Sequence, residues 1–271
     1  QAQRFDRALQ PLLDAADRAR NAGRHDQGIH CISLLEQAVQ ELGLPDYSNE
    51  SLHVAHLRSV FKTMLSQYDN VAADLKHHIE LAATNSQHEL ERSLRVQLMA
   101  HLQVTGRFEE ALEVGDELLQ EPELSSSQML QAAMTKAKVL SRTGDADQAL
   151  EIVRQIKQKS WFHDLSESRR MDVDALEAFS MYRLNRLEKA EKMLERAAES
   201  LDRVGRPVSA SVTILARANA LMQLDRLDQA EQQIREKEEK YRNIFESMFD
   251  VYTEVDVHSG EILEVSPSIK R

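Results

Sequence analysis

The sequence predicts an all-α chain built as an array of about six stacked helical hairpins, with a short β-hairpin at its C-terminal end. Three observations predict it. First, Leu90–Gln120 reads as one complete hairpin: an apolar-periodic helix, a tight corner at Thr105-Gly106-Arg107, and a second helix opened by Phe108 and Ala111. Second, the same grammar recurs around Gly144, Asn185 and Asp225, and more faintly around Gly23 and Ser66; successive corners lie 43, 40, 38, 41 and 40 residues apart. A period near forty marks stacked supersecondary units rather than one globular core.

Third, residue types keep a register with the corners. Seven residues before them stand Ala16, Ser59, Met99, Ala137, Ala178 and Ala218; five after stand Gly28, Val71, Ala111, Ala149, Ala190 and Ala230. Mostly small side chains at two fixed offsets allow paired helices to approach closely. Two residues after the corners come His25, Tyr68, Phe108, Ala146, Leu187 and Leu227, mostly bulky plugs for the gap beside each corner. A bundle without repeats has no reason to keep these offsets.

In chain order, residues 2–22 carry Phe5, Leu9, Leu12, Leu13 and Ala16 at helical spacing, with Pro11 expected to kink or restart the helix. A second helix over about Gln27–Leu42 stops at Gly43 with Pro45 beyond. Ser51–Leu65 and Asp69–Ala83 make the second hairpin. The third ends at Glu121-Pro122, and Ser125-Ser126-Ser127 supplies capping hydroxyls for a helix to about Arg142. Its partner runs from Ala146 to Lys159. Trp161, the only tryptophan, is read as filling the gap between repeats, with a binding anchor as the alternative. Ser166–Leu184 pairs with Leu187–Leu201, and Gly205-Arg206-Pro207 breaks the chain before Ser209–Leu224. The final helix starts near Leu227 and continues through Ile234, Tyr241 and Met248, a heptad fragment too short to establish a coiled coil. Val251–Val257 and Glu261–Val265 then alternate around a His258-Ser259-Gly260 turn, as two strands of a hairpin.

The corner segments GRFEEALE, GDADQALE, NRLEKAEK and DRLDQAEQ resemble the tetratricopeptide repeat (TPR), over roughly residues 5–240. The units are longer than the 34 residues usual in that family. The resemblance implies a right-handed α-solenoid whose concave face binds peptides or proteins. The segment YRNIFESMFDVYTEVDVHSGEILEVSPSIKR, from Tyr241 onward, resembles the beginning of a PAS domain. The expected organisation is therefore a TPR-like domain over 1–230, a linker helix over 231–249 and a PAS fragment over 250–271.

Composition narrows the function. A net charge of −11 argues against nucleic-acid binding, which needs clustered Lys and Arg. Cys31 alone permits no intrachain disulfide and no cysteine-rich zinc site, and it sits in an apolar run as an inert thiol. No apolar stretch reaches membrane-spanning length. There is no secretory signal, although a chain starting at Gln1 gives that little weight. A cytoplasmic location is expected. No phosphate loop, GxGxxG, HExxH or nucleophile elbow occurs, so no catalytic residue, cofactor site or enzyme activity is expected. His53 and His56 on one helix and His77-His78 on its partner are read as polar face residues, not as a metal site. The acidic residues at second-helix starts, Glu109-Glu110 and Glu188, complement the helix dipole. Arg24, Arg107, Arg186 and Arg226, each following a corner, are structural.

Counting back from the corners in helical steps gives the candidate binding face: Met134, Lys138 and Ser141; Ala175, Phe179 and Tyr182; Leu215, Asn219 and Met222. Aromatic and methionine side chains offer adaptable contact area. Earlier units hold His56, Val60 and Thr63, then Val96, Ala100 and Gln103. Packing inside a tightly wound array accounts for the same residues equally well. Where chaperone-binding members of the family hold a terminal carboxylate with Lys and Asn, this chain has residues such as His56 and Val60, so that clamp is not supported. The leading expectation is a regulatory or sensory input region of a bacterial-type signalling protein. It would bind a protein or peptide and couple through the last helix, by a homodimer contact there, to the PAS domain and a histidine-kinase or diguanylate-cyclase output. The alternative is a stand-alone interaction scaffold.

Overall fold

The structure, a computed structural model, describes residues 2–21, 25–203 and 207–224, single positions between 226 and 235, and residues 253–255 and 262–265. Its helices are α1 (Ala2–Asn21), α2 (His25–Leu42), α3 (Asn49–Met64), α4 (Val71–Thr84), α5 (His88–Val104) and α6 (Phe108–Leu119). They continue with α7 (Ser126–Thr143), α8 (Ala146–Gln158), α9 (Glu167–Arg183), α10 (Leu187–Arg203) and α11 (Pro207–Gln223). A 3-10 turn, Ser160–Asp164, follows α8.

The corners have one shared cause. Ser66, Gly106, Gly144 and Asn185 all take left-handed backbone, with φ of 58°, 79°, 104° and 58°. The amide of the residue after each bonds back across the helix end: Gln67 to the Lys62 carbonyl, Arg107 to Leu102, Asp145 to Leu140 and Arg186 to Met181. Arg226 donates to Leu221 in the same way at the sixth corner. This is the Schellman closure, which satisfies orphan carbonyls and turns the chain sharply. Glycine takes the left-handed conformation freely at Gly106 and Gly144, and Asn185 is among the few other residues that tolerate it. At the start of α7 the Ser125 hydroxyl accepts from the Gln128 amide while the Gln128 side chain accepts from the Ser125 amide, a full capping box.

The chain divides into two compact units, Gln1–Asp164 and Leu165–Arg271. In the first, each helix from α1 to α8 packs on its sequence neighbour, and the first helices of successive hairpins also touch: α1 with α3, α3 with α5, α5 with α7. In the second, α9 packs on α10, α10 on α11, and α9 touches α11. This is nearest-neighbour packing, as stacked hairpins require.

The register predicted from the sequence is where the cores lie. Ala16, Ser59, Met99, Ala137, Ala178 and Ala218 are all buried, as are Gly28, Val71, Ala111, Ala149 and Ala190. Two large residues at helix contacts are accommodated by glycine opposite. A Cβ on Gly28 would stand 2.1 Å from two Phe61 ring carbons, so the ring lies directly on the α2 backbone. A Cβ on Gly115 would stand 2.4 Å from the Met99 methyl. Only glycine lets these side chains seat so deeply.

Several expectations need correction. Pro11 does not restart the helix; α1 runs through it from Ala2 to Asn21. Proline removes one backbone bond, and Leu9, Leu13 and Ala16 pin the helix to the core on either side. Tyr68 is no plug. Asn70 is also left-handed (φ 61°), α4 starts late at Val71, and Tyr68 stays on the surface with its ring edge-on to His101. At the 3-10 turn it is Phe162 that is buried, while Trp161 is half-buried and lines an open groove of about 280 Å³ with Leu119, Met129 and Ile156. The continuous helix expected beyond Leu227 lies largely outside the described residues, as does most of 250–271. Within the latter, Thr253–Val255 (β1) and Ile262–Val265 (β2) pair antiparallel, with an irregularity between Glu254 and Val255. These two short strands are all that the described residues show of the segment resembling the start of a PAS domain.

Candidate functional site

The second unit carries the open face. α9 and α11 lie side by side there, joined by a hydrogen bond from the Gln223 side-chain amide to the Tyr182 hydroxyl (2.7 Å). Ala178 and Ala218 at the helix contacts are fully buried, and Ala178, Leu194 and Ala216 form the floor against which Phe179 and Met193 pack. Above it, Ala175, Phe179 and Tyr182 are half-buried, with the two rings 6.2 Å apart and tilted by 34°.

On α11 the sequence-predicted Leu215 and Met222 are 59% and 45% exposed, and Asn219 between them is half-buried. Sequence reasoning missed Val212, which is 66% exposed and lies one helical step before Leu215. Its signal was present: it stands thirteen residues before the corner, where the same count extended by one turn would have placed it. Val212, Leu215, Asn219 and Met222 follow 3-4-3 spacing and so share one side of the helix.

α11 contains one charged residue, Arg217, and it is turned toward α10. Its guanidinium reaches the nearly buried Glu191 carboxylate at 2.8 and 2.7 Å and Glu195 at 2.5 Å. Arg226 approaches the other Glu191 oxygen at 3.9 Å. Glu191 is thus a buried carboxylate neutralised by an arginine in close geometry, an arrangement that fixes helix register and is costly to break from one side.

In the first unit the corresponding positions are closed. Met134 is 7% exposed and Ser141 fully buried, and Val96 and Gln103 are buried on α5; Lys138 remains exposed. Met134 and Ser141 therefore serve the packing of α7. On the same side, the Thr63 hydroxyl donates to the Ser59 carbonyl and accepts from Gln97, so His101 Nδ1, 3.2 Å away, is its second donor. That pins the neutral tautomer of His101, whose pKa is lowered by burial and then by Arg107. His56 is pushed down to about 3, first by burial and then by the charges of Arg20 and His53. The histidine rings meet in pairs, His53 tilted on His56 at 6.5 Å and His77 edge-on to His78 at 5.4 Å. Among the described residues no three His, Cys, Asp or Glu side chains converge as metal ligands. Arg107 forks onto Glu110 at 2.6 Å through Nε and Nη2 and lowers that carboxyl's pKa. No described helix is long and apolar enough to cross a membrane.

No protein-family model matches the sequence, and no curated protein matches it. Solved structures do. A putative kinesin light chain with nearly identical TPR-like repeats from Podosopora anserina aligns at 19% identity over 73% of this chain and 97% of its own, with a TM-score of 0.52. PlcR of Bacillus thuringiensis, in complex with the peptide PapR7 and DNA, aligns at 16% identity over 80% of this chain and 84% of its own, with a TM-score of 0.58. At such identities the likeness shows the fold: helical hairpins of the TPR-like kind.

Proposed function

We propose that this TPR-like helical repeat is a protein-interaction module, and that the face formed by α9 and α11 receives a segment of a partner protein. The observation that carries the reading is the exposed row Val212, Leu215 and Met222 beside Phe179 and Tyr182. Exposed apolar groups gathered on a rigid, fully packed support mark interaction surfaces more often than chance scatter. The bound peptide of PlcR, a protein of the same fold, supports the same direction. The net charge of −11 favours a protein over a nucleic acid as the partner.

Within that reading the chain is the input region of a bacterial-type cytoplasmic signalling protein. Occupancy of the face shifts the segment beyond Arg226, which pairs with its copy in a homodimer and drives a PAS domain and a kinase or cyclase output. The support is the PAS-like sequence from Tyr241 onward. A stand-alone scaffold that tethers partners without output accounts for the exposed face and the fold equally well. Neither reading gives this segment catalysis.

Panning a phage-displayed library of random peptides of about 20 residues, a length that spans the face, tests the interaction. The selected peptides are expected to lose tenfold or more in affinity to Leu215→Asp, whose unfolding curve should match that of the parent chain. Binders indifferent to that change would defeat the assignment of the face. For signalling, the mass of the chain with and without residues 227–248 decides: a dimer lost on deletion supports coupling, an unchanged monomer supports the scaffold.

A further inference from the structure

Resting on the reading of α9 and α11 as the interaction face, we propose that its ligand is an uncharged amphipathic helix of the partner, held through an aliphatic stripe, and not a charged peptide or chain terminus. Asp, Glu, Lys and Arg make up 29% of this chain, yet the exposed row of α11 holds none of them. The helix's only ion, Arg217, is drawn to the opposite side and neutralised by Glu191 and Glu195. On α9 the charged residues Arg169, Arg170, Asp172, Asp174, Glu177 and Arg183 are each engaged in a contact. The face therefore has no free ion with which to select a charged ligand, and a charge brought onto its apolar row would lose hydration without compensation.

Val212, Leu215, Asn219 and Met222 alternate three and four residues along about 15 Å of helix. That is the seam into which the side chains of a second helix pack, knob into hole, with a β-branched residue, a leucine and one central amide. Asn219 makes no hydrogen bond among the described residues, so its amide is open to a polar group in the middle of the ligand's stripe. Gln223 is held by Tyr182 and is not. The ligand thus presents aliphatic residues at three- and four-residue spacing, with one uncharged polar residue opposite Asn219.

The peptides selected above supply the test. Those that depend on Leu215 are expected to carry a neutral aliphatic stripe, to gain helical circular dichroism on binding, and to change less than twofold in affinity between about 50 and about 500 mM NaCl, a range across which ion-pair attraction is strongly screened. Asn219→Leu should weaken peptides with a polar residue at the centre of the stripe and strengthen those re-selected with leucine there. Leu215-dependent peptides enriched in Asp, Glu, Lys or Arg at their anchor positions, weakened tenfold by the salt, or bound without gaining helix would overturn the inference while leaving the face intact. Peptides that ignore Leu215→Asp would instead remove the face itself.

Discussion

The seating of Phe61 on Gly28 makes a quantitative prediction. Replacing a helical glycine by alanine in the open stabilises a helix by about 1 kcal/mol. At Gly28 the new Cβ would stand 2.1 Å from Cε1 and Cζ of Phe61 and 3.0 Å from Cδ1. Carbon atoms in contact need more than 3.4 Å, so a rigid ring would have to move by over an ångström. Phe61 is 1% exposed and packs in the cluster with Leu35, Ala38, Val54 and Leu57, but it also lines a cleft of about 170 Å³ with Ile29, Ile32 and Arg58, so the ring can yield only in that direction. Overpacking of this kind typically costs about 1–3 kcal/mol. Less the propensity gain of about 1 kcal/mol, Gly28→Ala should destabilise the first unit by up to about 2 kcal/mol. At Gly115 the obstructing atom is the methyl end of Met99, which rotates about flexible bonds, so Gly115→Ala should fall within about 1 kcal/mol of the parent. Urea unfolding of both variants, and of Gly28→Ala with Phe61→Leu, measures the three changes. The double substitution should recover the loss. A Gly28→Ala chain about 1 kcal/mol more stable than the parent would mean that propensity alone acts there, and that the α2–α3 approach is not as close as described.

Other outcomes follow from the same geometry. Arg217→Met leaves the Glu191 carboxylate buried without its close partner and should cost about 3–5 kcal/mol, most of it restored by adding Glu191→Leu; equal losses from the single and double variants would refute the network. The His56 pKa lies below the unfolded value near 6.5, so the folded chain binds fewer protons and stability falls as pH drops through about 6.5 toward 3. Between pH 7.5 and 5 that loss is at most about 2 kcal/mol, since solvent reaches the edge of the residue; His101 adds in the same direction, and His56→Gln should flatten the urea midpoint against pH. An unchanged slope in that variant would place the acid sensitivity elsewhere. Ser125→Ala removes the hydroxyl that caps α7 and should cost about 1 kcal/mol, with faster amide exchange at Gln128 as the local signature.

The corners and buried offsets were legible because each is a local necessity. A left-handed residue is needed wherever two helices turn back in so few residues, and Gly106, Gly144 and Asn185 advertise it. The small residues seven before and five after are needed wherever axes approach closely. What covers the inner face was not legible. Met134 and Leu215 occupy the same place relative to their corners, yet one is buried and the other open. The difference lies in how closely the first helices of neighbouring hairpins pack, a property of pairs of units and not of any single one. Of the two outcomes expected at Pro11, a kink or a restart, the restart does not occur: packing of Leu9, Leu13 and Ala16 on either side keeps one helix through it. Asn70 misled, adding a second left-handed residue that lengthened a corner the sequence showed as regular.

The face of α9 and α11 is where the partner is expected to land. Hydrogen–deuterium exchange of the chain, alone and saturated with a selected peptide, locates the contact directly. Slower exchange confined to Ala175–Tyr182 and Val212–Gln223 is the predicted result. Protection appearing instead in the first unit, around Met134–Ser141 or in the groove beside Trp161, with α9 and α11 unchanged, would contradict it.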